Sequence, residues 1–137
     1  MNIDHIGLSV ENIDAQIRWY GQALGMKVVK EFTVQEPPIK GVFLTGNGLV
    51  LELLERAGSL PRPATTTPMD ALLTRGYGHI CLRVTDLGAI HHSLLKAGAC
   101  EIMAPQGAPE AGIRMSFIAD PEGNLIELID DESLVDT

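Results

Sequence analysis

The sequence predicts an α+β fold built from one βαβββ module used twice. Three observations predict it: a long internal repeat, strand-type alternation at both ends of each copy, and a helix signal after each first strand. Asp4-His5-Ile6-Gly7-Leu8-Ser9-Val10 reappears in type as Gly78-His79-Ile80-Cys81-Leu82-Arg83-Val84. Gly48-Leu49-Val50-Leu51-Glu52-Leu53-Leu54-Glu55 reappears as Gly123-Asn124-Leu125-Ile126-Glu127-Leu128-Ile129-Asp130. The step from His5 to His79 and the step from Glu52 to Glu127 differ by a single position. A repeat of that length is a supersecondary unit used twice.

Each element follows from local pattern. After His5, residues Ile6, Leu8 and Val10 face one way and His5, Gly7 and Ser9 the other, which is a half-buried strand. Ile80, Leu82 and Val84 oppose His79, Cys81 and Arg83 in the second copy. A helix follows, capped by Asn12 or Asp14, with Ile13, Ile17, Tyr20 and Leu24 on one face and Gly25 ending it. Trp19 and Tyr20 at its end pack the core. Its copy runs from Asp86 to Gly98, with Leu87, Ile90, Leu94 and Leu95 inward. Three strands complete each module: Lys27–Val34, Gly41–Thr45 and Leu49–Leu54, then Glu101–Ala104, Ile113–Ala119 and Leu125–Ile129. Pro61, Pro63 and Pro68 with Thr65–Thr67 make the connection a loop, and Met69–Arg75 forms a short helical turn. Asp120-Pro121-Glu122-Gly123 is a turn.

The expected organisation is a single domain, 1–137. Module 1 is 3–56, a linker spans 57–77, module 2 is 78–130, and an acidic tail covers 131–137. One module alone leaves a sheet face open. The two are therefore expected to pair into a curved, mixed, mostly antiparallel cup with helices on the outer face.

Composition bounds the function. The 137 residues are 45% hydrophobic and 20% charged, which is globular composition. No apolar run approaches the roughly 20 residues of a membrane span. The start, MNIDHIGLSV, is strand-like and lacks a signal peptide's basic start and long apolar core. The net charge of −8 argues against nucleic acid and anionic membranes as partners. Asp130, Asp131, Glu132 and Asp136 place part of that charge in a solvated end. Cys81 and Cys100 lie in apolar segments with no Cys-x-x-Cys and read as reduced core thiols of a cytoplasmic protein.

The chemistry lies in the repeated residues. His5 and His79 occupy equivalent places, and so do Glu52 and Glu127. A carboxylate in an otherwise apolar strand must be paired, protonated or metal-bound. Two imidazoles and two carboxylates supply N2O2 ligation, and the two negative charges neutralise one divalent cation. Zn2+, Ni2+, Co2+ and Mn2+ are all compatible with that set. Arg83 shares the His79 face and can hold a substrate carboxylate or phosphate, or pair with a buried glutamate. His91 and His92 are adjacent on a helix, cannot both face one metal, and read as a solvated face.

These segments carry a resemblance. DHIGLSV, WYGQALGMKVV, LVLELLE, YGHICLRV and FIADPEGNLIELI together resemble the vicinal oxygen chelate superfamily. Its members include glyoxalase I, methylmalonyl-CoA epimerase, extradiol dioxygenases and fosfomycin or bleomycin resistance proteins. The resemblance implies paired βαβββ modules around a divalent metal, with His5, Glu52, His79 and Glu127 on the four ligand positions. A fourth ligand at Glu52 looks like the glyoxalase and epimerase branch. Ser9 and Arg56 fall where bacterial glyoxalase I has an arginine and an asparagine that contact glutathione. Glu36, before Pro37 and Pro38, falls near the epimerase's catalytic glutamate.

The branch implies a metal-dependent lyase or isomerase moving a proton next to a carbonyl of a small-molecule substrate, through a metal-stabilised enediolate. Glu127 is the first choice of base and Glu52 the second, with Glu36 a weaker candidate. Ser9, Arg83 and Arg56 are the substrate-binding candidates. The alternatives are an extradiol-type dioxygenase, for which Tyr77 is the loose acid/base candidate, and a ligand-sequestering resistance or binding protein. The superfamily also implies a homodimer.

Overall fold

The computed structural model describes residues 1–131. Its elements in order are β1 (Ile6–Val10), α1 (Ile13–Leu24), β2 (Lys27–Val34), β3 (Ile39–Gly46), β4 (Leu49–Glu55), α2 (Pro68–Ala71), β5 (His79–Arg83), α3 (Leu87–Lys96), β6 (Cys100–Gly107), β7 (Ile113–Ala119) and β8 (Leu125–Asp131). They divide into two units, one ending at Arg62 and one beginning at Pro63. Each unit contains a four-stranded sheet, ordered β1-β4-β3-β2 in the first and β5-β8-β7-β6 in the second. β1 pairs parallel with β4, and β5 with β8. The remaining ladders are antiparallel. The βαβββ reading is therefore realised twice.

This strand order puts the glutamate-bearing strands β4 and β8 inside their sheets, with a neighbour on both sides. In the first unit Val42 pairs with Leu53 and Leu44 with Leu51, and all four are buried. They form the face that α1 covers with Ile13 and Tyr20. In the second unit Ile118 pairs with Ile126 and Ser116 with Leu128, beneath Leu87 and Leu94 of α3. Period-two alternation then turns Glu52 and Glu127 to the opposite face.

The helices end as their sequences dictate. Asn12 accepts the Ala15 N–H at 3.0 Å, and Glu55 accepts the Ile13 N–H at 2.8 Å. Two orphan donors of the first turn are thus satisfied. At the other end Gly25 takes φ 64°, which lets its N–H reach the Gly21 carbonyl and the Met26 N–H reach the Tyr20 carbonyl. Asp86 caps α3 by accepting the Ala89 N–H at 3.0 Å. The linker helix α2 is one turn, capped by the Thr67 hydroxyl. Asp120 accepts the Glu122 and Asn124 N–H groups, which makes the segment before β8 a turn.

Four expectations need correction. His91 is not solvated: it is 4% exposed. It lies four residues after Leu87 and three before Leu94, so it shares their inward stripe. Its Nε2–H donates to the Glu101 carboxylate at 2.8 Å, and its Nδ1 takes the Ser116 hydroxyl at 2.9 Å. Ile90, expected inward, lies at the margin of that stripe and is exposed. Cys81 and Cys100 are free but exposed, not core residues. Cys81 shares the open face with His79, and Cys100 starts the edge strand β6. The tail begins later than expected, because β8 continues to Asp131, which accepts from Arg83 Nη1 at 3.3 Å. Glu132 and Asp136 lie outside the described residues.

Two substitutions test this packing. His91→Leu should lower stability by about 1–3 kcal/mol, because the Ser116 hydroxyl stays buried without its partner. Adding Ser116→Ala should recover part of the loss in urea denaturation. Gly41 lies beneath the Phe32 ring, where an added Cβ would collide with the ring carbons. Gly41→Ala should cost about 1–3 kcal/mol by overpacking, and Phe32→Leu in the same chain should relieve it.

Candidate functional site

Backbone register builds each half of the candidate site. In the first unit Gly7 of β1 is the partner of Glu52 on β4. His5 is two residues earlier and so projects on the same side as Gly7. Its Nε2 lies 3.6 Å from Glu52 Oε1. In the second unit Cys81 of β5 is the partner of Glu127 on β8, and His79 is again two residues earlier. His79 Nε2 lies 3.0 Å from Glu127 Oε2.

The glutamate side chains are 17% and 19% exposed, against 33% and 36% for the histidines. Each glutamate side chain is thus partly covered, and each imidazole is more open. An interior strand cannot send a carboxylate sideways to solvent, so the histidine from the parallel neighbour is its partner. Among the described residues no group of three or more metal-ligating side chains gathers at one point. The four expected ligands stand as two His–Glu pairs.

The surroundings differ between the two pairs. His5 Nδ1–H donates to Asp4 Oδ2 at 2.6 Å. That hydrogen bond raises the His5 pKa from its ordinary 6.5, burial opposes the rise, and the Glu52 carboxylate adds to it. In the second unit the residue beside the glutamate is Cys81. Partial burial of its thiol first, and the Glu127 carboxylate second, push it up to about 11. Both effects favour the neutral thiol over the thiolate.

Two residues went unnoticed in the sequence. Phe43 is the β3 partner of Glu52, and its ring meets His5 edge-on at a centroid distance of 5.1 Å and 87°. Phe117 is the β7 partner of Glu127 and meets His79 at 5.2 Å and 83°. The signal was available: Phe117 follows Phe43 by the same step as His79 follows His5.

The other candidates are less closely gathered. Ser9 is exposed on β1, two residues beyond Gly7, and pairs with Leu54. Arg56 is exposed just past the end of β4. Arg83 is exposed on β5 and forms its ion pair with Asp131, not with a buried glutamate. Glu36 lies on the exposed turn between β2 and β3, beyond the Val34–Ile39 pair. Tyr77 is exposed two residues before His79. No helix among the described residues is long and apolar enough to cross a membrane.

The first unit's imidazole gives a direct test of these electrostatics. In metal-free protein, NMR titration should place the His5 pKa above 6.5. Asp4→Asn should lower it, since it loses the hydrogen-bonded carboxylate that favours the charged ring. An unchanged His5 titration would remove Asp4 from the account.

The chain is similar to known proteins. A probable lactoylglutathione lyase of Vibrio cholerae is 28% identical over 129 residues, 91% of this chain and 87% of its own. One from Synechocystis is 27% identical, over 96% and 97% of the two chains. The crystal structure of a glyoxalase family protein from Enterococcus faecalis matches with a TM-score of 0.79 at 22% identity, over 93% of this chain and 96% of that one. The fosfomycin resistance protein FosX of Listeria monocytogenes matches with a TM-score of 0.69 at 14% identity, over 95% and 93%. These two likenesses concern the fold. The profile of one family, described as Glyoxalase/Bleomycin resistance protein/Dioxygenase superfamily, matches residues 2–128, and the chain belongs to that superfamily.

Proposed function

We propose that this protein is a metal-dependent lyase or isomerase that moves a proton on carbon next to a carbonyl. His5, Glu52, His79 and Glu127 would together hold one divalent ion. The observation that carries this reading is the same His–Glu pairing, on corresponding strands of both units, at 3.6 and 3.0 Å. The donor set fits a divalent cation: two imidazole nitrogens, and two carboxylates whose charges balance it. Asp4 supports the fit, because a histidine whose Nδ1–H is donated to a carboxylate presents Nε2 in a fixed direction. The lyase names of the relatives support the same branch, and the superfamily supports a small-molecule substrate and a homodimer. Zn2+, Ni2+, Co2+ and Mn2+ remain compatible.

When bound, the ion supplies Lewis acidity toward the substrate oxygens. The chain supplies the proton transfer. Glu127, or Glu52 after it, takes the proton from carbon as the electron pair moves toward the carbonyl oxygen. The resulting carboxylic acid returns the proton to the neighbouring carbon, giving isomerisation; epimerisation needs a proton delivered to the opposite face of the first carbon, for which the other glutamate in its acid form is the proposed donor. Partial cover over each glutamate suits this role, since fewer waters compete for the proton. Ser9 and Arg56 are proposed to meet the substrate, and Arg83 does so by sharing its guanidinium with Asp131. Glu36 is assigned no step, because it lies on an exposed turn beyond the β2–β3 ladder, while His5 and Glu52 belong to the β1–β4 side of that sheet.

Metal analysis and proton exchange in deuterated water test the reading. Wild-type protein should carry one divalent ion per chain and exchange a carbon-bound proton of its substrate. Lactoylglutathione and methylmalonyl-CoA are the first two compounds to try. Glu127→Gln should keep the fold and lower turnover at least ~100-fold. His5→Ala should lower metal content and turnover together. Protein that binds no divalent ion, or Glu127→Gln with full turnover, would overturn the assignment.

A further inference from the structure

A free imidazole turns easily about its last side-chain torsion, which has broad wells. A ligand histidine needs its ring plane set; at His5 the hydrogen bond to Asp4 supplies part of that, and His79 follows Gly78, which offers no such side chain. Backbone register provides the same neighbour in both units. The strands run β1-β4-β3 and β5-β8-β7, so the order across the open face is histidine, glutamate, phenylalanine. Phe43 stands in register with Glu52, and Phe117 with Glu127. Each ring reaches past the glutamate to the imidazole and meets it almost perpendicularly.

Edge-to-face contact is favourable for such rings and is lost if one of them rotates far. It therefore acts on ring orientation, not only on apolar cover. Phe43 is itself held in place by Phe32, whose ring lies 5.8 Å away and rests over Gly41. Phe117 is 6% exposed and paired across β6 with Met103. Phe43 is thus held from the side away from the histidine, and Phe117 is held by its burial. Two modules of different sequence keep nearly one geometry, 5.1 Å and 87° in the first against 5.2 Å and 83° in the second. A chance packing contact has no reason to repeat in that way.

We propose that Phe43 and Phe117 are positioning residues that set the ring planes of His5 and His79, so that each Nε2 faces its glutamate. Their effect on metal binding rests on the reading of His5 and His79 as ligands; their effect on ring orientation does not. Neither phenylalanine touches the transferred proton.

The test uses Co2+ uptake by chelator competition, the visible spectrum of the Co2+ protein, and NMR relaxation of the histidine rings in metal-free protein. Phe43→Leu keeps apolar volume and removes the ring, whereas Phe43→Tyr keeps the ring. Phe43→Leu should weaken Co2+ binding about 10–100-fold, the usual loss when a ligand's supporting partner is removed, and alter the spectrum. Phe43→Tyr should restore both, which a general packing defect would not predict. Phe117→Leu should do the same for the second pair, with folding checked by thermal melting. Co2+ affinity and spectrum unchanged in both Leu variants would overturn the proposal and leave the metal reading standing. Wild-type protein that takes up no Co2+ would overturn the metal reading instead. The proposal would then be decided by ring relaxation alone: faster His5 ring motion in Phe43→Leu upholds it, and unchanged motion overturns it.

Discussion

The structure depends on placing a carboxylate on an interior strand of an otherwise apolar sheet. β4 and β8 each have a neighbour on both sides, so neither can release its glutamate sideways into water. Alternation sends Leu51 and Leu53, or Ile126 and Leu128, under the helix and puts the glutamate on the opposite face, between Val50 and Leu54 or between Leu125 and Ile129. An ionised group partly covered in this way needs a charged or hydrogen-bonding partner. The parallel neighbour brings a histidine to it, and the antiparallel neighbour brings a phenylalanine. Strand order, register and side-chain identity answer one electrostatic demand, and they do so in both units.

Much of this was legible because period two is a strong signal. β2 and β7 were expected with the bounds they have, and the other strands within a few residues. The His–Glu pairs were legible because the repeat printed the same two residue types twice. Phe43 and Phe117 were printed twice as well. They escaped notice because an apolar residue in a strand raises no question by itself, and only register reveals what it touches. His91 was misread for the opposite reason. A histidine beside another histidine looks polar, yet its place between Leu87 and Leu94 on the helix stripe decides its burial. The cost of that burial is met by Ser116 and Glu101, which lie 25 and 10 residues away in sequence. Such partners cannot be read from local pattern. The cysteines were misread because a small thiol in an apolar segment defaults to the core. Cys81 instead follows the alternation of its strand to the open side.

The two units share an architecture but not a local chemistry. Where Glu52 has Gly7 beside it, Glu127 has the thiol of Cys81. Where His5 donates to Asp4, the residue before His79 is Gly78, which has no side chain to accept. The pair distances differ accordingly, 3.6 against 3.0 Å. Repetition fixed the frame of each half-site, and single substitutions then made the halves unequal. Unequal surroundings are how two identical carboxylates can be given different protonation tasks.

The two faces of each sheet are also under different constraints. The helix-side face of each sheet is committed to packing: Val42, Leu44, Leu53, Ile118, Ile126 and Leu128 are all essentially buried, and a change of one methylene there is felt as lost stability. The superfamily's description joins glyoxalase, dioxygenase and resistance functions, so the fold does not choose the reaction. The open face can change without disturbing the core, because its side chains point away from it. Next to the His–Glu pairs that face carries Ser9 on one unit and Arg83 with Asp131 on the other. These positions differ in charge between two otherwise matching modules, so the open face, unlike the packed one, is where the two modules diverge.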